Sequence, residues 1–475
     1  MKFNARKKLL SLAVASAISG GAMIMAAPAH AMNVSQDNVG EVLLFPYYTV
    51  KNGFDTVFTV TNTSDKTAIF KIRFREALNS REVRDFNVIL SPYDHWSGAI
   101  TLDSAGTGAV VRTFDNTCTS PILPASSVAG AREVAFTNAL YSGNFTDGAT
   151  SDIGRVQEGY FEVILMGVSS RSTSTSTNLV EYNAKHVNGV PRSCSTVDAQ
   201  FLAANLNANV KPYFDAPENV LKGHVTYINV ASGKAIDSEP TAIENFQNVT
   251  EIIAEPGDEF PSLASGDAVD FAYALQDGNA LSAIVASGSV DRVDALLRAS
   301  SVINEFATGV GASTSWVVTF PTKHHHTDSY TSGTGPTQSN GTPTGGFSEW
   351  FYNSATDGKS CDNITMDLVN REEGRVQTVD STQFSPYNPS NPTVSLCYEA
   401  NVIDFNGTSV FGSGINRLGV DTTGVGSAGW ANLIFSEAPA TSLGGLPVIG
   451  FSAIMRDGAN ATVNYGSSTE HTYKH

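Results

Sequence analysis

The chain has 475 residues, with 46 acidic against 29 basic and a formal net charge of −17 at pH 7. Such a surplus of carboxylates argues against a phosphate-binding surface of clustered cations, so neither nucleic acid nor anionic lipid is an expected partner. Only 16% of the residues are charged and 41 are glycine, a balance that suits a loop-rich β protein, and the length favours two or three domains over a single core.

Lys2, Arg6, Lys7 and Lys8 precede an apolar run from Leu9 to Ala27, and Ala29-His30-Ala31 supplies a small-x-small cleavage pattern. Residues 1–31 therefore read as a secretory signal peptide. Ser11, Ser16, Ser19, Gly20 and Gly21 interrupt the apolar run and disfavour a retained span, and no later segment has the apolar length of one. No cysteine near the cut offers a lipid anchor. The expected location is exported: cell surface, extracellular space or periplasm. Loss of residues 1–31 would lower the basic residues from 29 to 25 against 46 acidic ones, a net charge of −21. That surplus is compatible with calcium held by loop carboxylates, but more often it only keeps an exported surface soluble.

The clearest local pattern lies between Phe54 and Ile100. Phe70, Ile72 and Phe74 alternate with Lys71, Arg73 and Arg75, the period of a half-buried antiparallel strand with one charged face. VFTVT before it and DFNVILSP after it read as neighbouring strands, separated by the turn formers Asn62 to Asp65 and ended by Pro92. Three such strands need a second sheet over their apolar face, so the expected fold is mostly β, an antiparallel β-sandwich of immunoglobulin-like kind with one or two short helices. The expected division is an N-terminal β-rich domain over residues 32–255 and a C-terminal one over 256–475.

Further along, VAFTNALY reads as a strand, and EGYFEVILMG from Glu158 reads as a buried central strand, apolar on both faces. Residues 169–178 form a polar hairpin tip, residues 196–206 fit a short helix, and GHVTYINV from Gly223 is another strand. The clearest helix spans 290–306: Ser289 is a suitable N-cap, Asp291 and Asp294 suit its first turn, and Val293, Leu296, Leu297, Ile303 and Phe306 share one face. SWVVTFPT follows as a buried strand. Residues 327–346 form a Gly/Ser/Thr/Pro loop, and EWFY, TVSLCYEA, WANLIF and LPVIGFSAI continue the antiparallel pattern.

None of Cys118, Cys194, Cys361 and Cys397 forms a C-x-x-C pair, which disfavours a zinc ribbon or a redox dithiol. In an exported chain they are expected as disulfides. Of three possible connectivities, Cys118–Cys194 with Cys361–Cys397 keeps each bridge inside one expected domain.

The runs GEVLLFPYYTV, FKIRFREALNSREVRDFNVILSPYD, EGYFEVILMG, HVNGVPRSC and WVVTFPTKHHHTD, in this order, resemble a family of exported proteobacterial proteins labelled only as cell-surface or hypothetical proteins. The resemblance covers most of the chain after the signal. It implies export and one full-length architecture, and it brings no activity, cofactor or catalytic residue.

His324-His325-His326 with Asp328 is the cluster with metal-ligand chemistry. On a continued strand His324, His326 and Asp328 would share a face; the competing expectation is that the histidines open a mobile loop and bind no metal. Glu162, inside an apolar strand, could be a general acid with a raised pKa, or a carboxylate paired with arginine. His95-Trp96 could line a ligand groove or serve the core. Asp147, Asp152, Asp357 and Asp362 lie in loops that could hold calcium, without EF-hand spacing. The chain has no G-x-S-x-G, H-E-x-x-H, P-loop or dinucleotide fingerprint. No cofactor and no catalytic residue is therefore assigned. The expected function is a secreted structural or adhesive protein of the cell surface or extracellular matrix, whose partners would be other surface proteins or glycans. The alternative is a periplasmic or extracellular glycan- or metal-binding protein, and a hydrolase ranks below both.

Overall fold

Along the strand Ala68–Glu76 the apolar and charged residues do alternate, but both faces are buried: Lys71 and Arg73 are each 1% exposed. The computed structural model that shows this describes residues 31–170, 177, 179–249, 252–266, 272–276, 280–284, 289–354, 358–378, 394–435, 444–457 and 464–475. Residues 1–30 of the expected signal peptide, most of the expected 169–178 tip and Asp357 lie outside the described residues.

The fold is mostly β and sandwich-like. Sheet I has eight strands, with Glu158–Ser169 between Val42–Thr49 and Ala68–Glu76, and Glu82–Leu90 next in order. Sheet II has seven, with Asp55–Asn62 between His95–Leu102 and Leu221–Asn229. Their inner faces meet in one aromatic core. Phe58 of sheet II lies 4.8 Å from Phe161 of sheet I, and Trp96 lies 5.9 Å from Phe86 across the same gap. Large rings at alternate positions fill the space between two stacked sheets and supply most of the apolar burial.

Sheets III and IV form a second sandwich. Sheet III contains Asp362–Asn370, Ala428–Phe435 and Ser301–Ala307; sheet IV contains Ala400–Phe405, Ala312–Thr319 and Ile449–Asp457. Ala400–Phe405 also pairs in parallel with Arg417–Val420, whereas the other described pairings in these four sheets are antiparallel. Sheet IV is covered on both faces. Trp316, Val318, Ile403 and Phe405 face sheet III, whereas Val317, Val402 and Phe451 join the core of sheets I and II. The strands of sheets I and II all precede residue 255 and those of sheets III and IV all follow it, whereas side-chain packing joins the two pairs of sheets, and Ala31–His475 is one unit.

Five short α-helices occur among the described residues, where one or two were expected. The helix expected over 290–306 spans only Ser289–Leu297. Arg298–Ala299 pairs with Leu446–Pro447, and Ser301–Ala307 is a strand in which Val302, Asn304 and Phe306 are buried and Glu305 is exposed. That period of two overrides the 3–4 spacing of Ile303 and Phe306. VAFTNALY is likewise split into the strand Arg132–Ala135 and a single turn at Ala139–Tyr141. The 196–206 segment forms two helices, Cys194–Gln200 and Ala203–Asn209. The cysteines pair as Cys118–Cys194 and Cys361–Cys397, and none is free. Among the described residues no helix is long and apolar enough to cross a membrane.

Candidate functional site

The charged face of Ala68–Glu76 is buried because it is saturated. Glu162 stands opposite Arg73 in the neighbouring strand, and Asp85 stands opposite it on the other side. Arg73 donates from Nε to Glu82 at 2.7 Å, from Nη1 to Glu162 at 3.2 Å and to the Pro261 carbonyl at 2.8 Å. Its Nη2 donates to the carbonyls of Asp258 and Glu259 at 3.1 and 2.9 Å. All five N–H groups of the guanidinium are therefore engaged. Lys71 Nζ binds Asp85 at 3.1 Å and the Glu255 and Asp258 carbonyls at 2.9 and 2.6 Å. The segment 255–262 lies over the cations and supplies carbonyl acceptors in place of water.

Burial alone would raise the Glu162 carboxyl, but Arg75 and Arg73 outweigh it and hold the group below the ordinary carboxylate range. Arg75 donates to Glu162 Oε1 from Nη2 at 3.1 Å and to the Ser80 carbonyl from Nη1 at 2.9 Å. Glu162 is thus an ionised structural partner, which removes the basis for reading it as a protonated general acid.

A second set of ion pairs is built on the turn after this strand. Glu76 accepts from the backbone N–H groups of Leu78, Asn79 and Arg81 at 2.7, 2.9 and 3.0 Å, which shapes the turn. Arg155 grips the same carboxylate through Nε and Nη2 at 2.7 and 2.8 Å. It also grips Asp147 through Nη1 and Nη2 at 2.9 and 2.7 Å. Such bidentate pairing is the strong form of a charged hydrogen bond. Arg81 continues the chain to Asp328 at 2.9 Å, and its guanidinium lies 4.4 Å over the Tyr330 ring.

The histidine triplet meets this network from above. The Ala312–Thr319 strand stops before Pro321, and residues Lys323–Thr327 form a short helix, so the histidines open no mobile loop and continue no strand. Lys323 anchors the helix through Asp362 and the Ser360 carbonyl, both at 2.6 Å. The helical turn separates the side chains. His324 Nδ1 lies 3.5 Å from Tyr160 Oη and 3.6 Å from Glu399 Oε1. The His325 ring packs 4.0 Å from that of His324, and His326 points elsewhere, with Nε2 2.7 Å from Asp294. His324, His326 and Asp328 therefore have three different partners.

Between the arginines and the helix lies a cavity of about 280 Å³, lined among others by Arg75, Arg81, His324, His325 and Tyr330. Burial, reinforced by neighbouring cations, keeps both histidines neutral: His324 is pushed well below its ordinary value and His325 down to about 3. Burial pushes Asp328 up to about 6 against the pull of Arg81, and it raises Glu399 well above the carboxylate range. The wall thus offers fixed cations, neutral imidazoles and the Asp328 carboxyl paired with Arg81, and Glu399 lies behind His324.

The other sequence candidates are placed as follows. Trp96 is fully buried core, and His95 is an exposed neighbour bonded to Thr61 at 2.7 Å. Asp152 caps the turn Ile153–Gln157 by accepting from Gly154 N–H at 2.6 Å. Asp147 and Asp362 are held by Arg155 and Lys323. Sequence reasoning missed Ser80, Arg81, Arg155 and Glu399, which only folding brings together. The available signal was four basic residues, Lys71, Arg73, Arg75 and Arg81, within eleven positions, the first three alternating with Ile72 and Phe74. Comparison with protein-family models, with curated proteins and with solved structures finds no match to this chain.

Proposed function

We propose that this chain is an exported structural or adhesive component of the cell surface or extracellular matrix. The observation that carries this reading is that Arg73, the most buried arginine beside the polar cavity, has no N–H donor left for a ligand. A site that captures anions keeps such donors available, whereas a structural network uses them to tie loops together. The two disulfides and the core continuous between both sandwiches support the same role. Fractionation of the native cells, with imaging of wild-type and deletion strains, tests it. The protein is expected in surface or shed fractions, with a filament, layer or adhesion phenotype lost on deletion; a cytoplasmic protein would refute the proposal.

A glycan- or metal-binding role is the second reading. It is favoured by the Nε2 atoms of His324 and His325, which are buried at the cavity without a hydrogen bond. Thermal melting against panels of saccharides and divalent metals distinguishes it, because a ligand of the folded state raises the melting temperature.

A further inference from the structure

We infer that Asp291, Asp294 and His326 form a binding site for a divalent first-row transition metal such as zinc or manganese. The ligand atoms of the three residues all lie within 4.8 Å of one another. Asp291 and Asp294 are one turn apart on the helix Ser289–Leu297, so both carboxylates leave the same side. His326 comes from the separate helix Lys323–Thr327.

Two features point to a cation. His326 Nε2 approaches Asp294 Oδ2 to 2.7 Å, and both side chains are almost fully buried, yet the contact is not aligned as a hydrogen bond. Asp294 Oδ1, also buried, has no hydrogen-bond partner at all. Two donor atoms brought this close off the N–H axis are placed as neighbours on a third centre. His326 Nδ1 lies 2.8 Å from Thr344 Oγ1. In the tautomer that donates from Nδ1 to this hydroxyl, Nε2 carries a lone pair directed beside the carboxylates and free for a cation, and the Nδ1 bond is of the kind that orients a metal-bound imidazole. The ring is further fixed by Gly345, where any Cβ would lie 2.5 Å from His326 Cγ.

The Arg298 guanidinium, which feels the charge of both aspartates, donates to the carbonyls of Gly445 and Gly345 at 2.6 and 3.0 Å rather than to either carboxylate. One imidazole with two carboxylates suits zinc, manganese or iron(II) better than calcium, which takes an all-oxygen shell. The exposed Asp291 leaves one side open, so water would complete the coordination. The inference concerns a site separate from the arginine cavity and does not depend on the surface role.

The test uses tag-free protein stripped with a chelator and titrated with zinc chloride or manganese chloride by calorimetry, with thermal melting in parallel. One equivalent should bind and raise the melting temperature. Asp291→Asn, at an exposed position, should fold normally and weaken binding at least about tenfold, and Thr344→Val should weaken it by about 10–100-fold. His95→Gln, a surface histidine, should change nothing. Failure to bind either metal, binding of calcium alone, or affinity unchanged in Asp291→Asn would each overturn the inference.

Discussion

Arg73 and Glu162 face each other across two neighbouring strands of sheet I, joined at 3.2 Å with each side chain only 1% exposed. An ion pair at that depth is stable only as part of a saturated network, because each charge has lost its water. Removal of one member leaves the others uncompensated. Glu162→Gln, which takes from Arg75 its carboxylate partner and leaves Arg73 with Glu82, should therefore destabilise the fold by about 3–5 kcal/mol. Urea unfolding of the two proteins at neutral pH measures the difference, and a change within error would mean that water reaches the pair.

The helix Ser289–Leu297 gives a second expectation. Val293, Leu296 and Leu297 pack into a cluster with Val42, Leu44, Ile164 and Ile243 of sheet I. Leu297 is 5% exposed, so Leu297→Ala should cost about 2–5 kcal/mol in the same assay. An effect below about 0.5 kcal/mol would place this side chain in solvent.

The end of that helix shows where the sequence stops being legible. Val293 to Leu297 repeat as a helix should, and the same spacing reaches Ile303 and Phe306, but the chain turns to strand at Arg298 because partner strands from Leu446, Ala428 and Thr472 lie alongside. Those partners are more than a hundred residues away in the chain, and no local pattern announces them. The same limit governs the cavity. The period of Lys71, Arg73 and Arg75 was readable, and so was the oddity of Glu162 in an apolar strand. That the charged face is buried depends on the carbonyls of 258–261, whose own residues look like any irregular loop. His326 likewise lies within five residues of Asp328 in the sequence, and its partner in space is Asp294.

The disulfide Cys118–Cys194 closes a sequence separation of 76 residues and ties the edge of sheet I to the helix Cys194–Gln200. Cross-linking at that separation restricts the unfolded chain strongly. Cys118→Ala with Cys194→Ala should lower stability by about 2–5 kcal/mol. Thiol titration of the denatured, unreduced wild-type protein should find no reactive cysteine, and any stoichiometric modification would contradict the pairing.

Cleavage after Ala31 would leave Met32 as the first residue, and its side chain is fully buried beside Val42, Leu44 and Phe246. Mass spectrometry of the protein isolated from native cells should give a chain that begins at Met32. Met32→Ala should lower its stability by about 2–5 kcal/mol, in line with other deletions of buried methionine. A mature chain that begins at Met1 would contradict the cleavage.

His471 makes stability depend on pH in a direction its contacts determine. Its ring is buried against Trp316 at 5.2 Å; Nε2 lies 2.9 Å from the Val317 carbonyl, and Nδ1 lies 3.0 Å from Asn304 Nδ2. The carbonyl can only accept, so Nε2 carries the proton, and Nδ1 must accept from the Asn304 amide. A second proton on Nδ1 would point at another N–H donor. That amide is held in place by the carbonyls of Thr469 and Glu470 at 3.0 and 3.1 Å. Burial therefore pushes His471 from its ordinary 6.5 down to about 4, and the Val317 carbonyl only partly opposes the shift. Because the folded value is the lower one, this contribution is complete above pH 6.5 and is lost as the pH falls towards 4. Its full size is on the order of 3 kcal/mol. His471→Phe removes the titration, although it also loses the Val317 hydrogen bond. Unfolding free energies of wild type and variant should accordingly converge as the pH is lowered from 7 to about 4. The carboxylates that also titrate there are common to both proteins and cancel in the difference. A wild-type-minus-variant difference that stays constant over this interval would show that His471 takes up its proton at the same pH in the folded and the unfolded chain, as it would if water reached the ring.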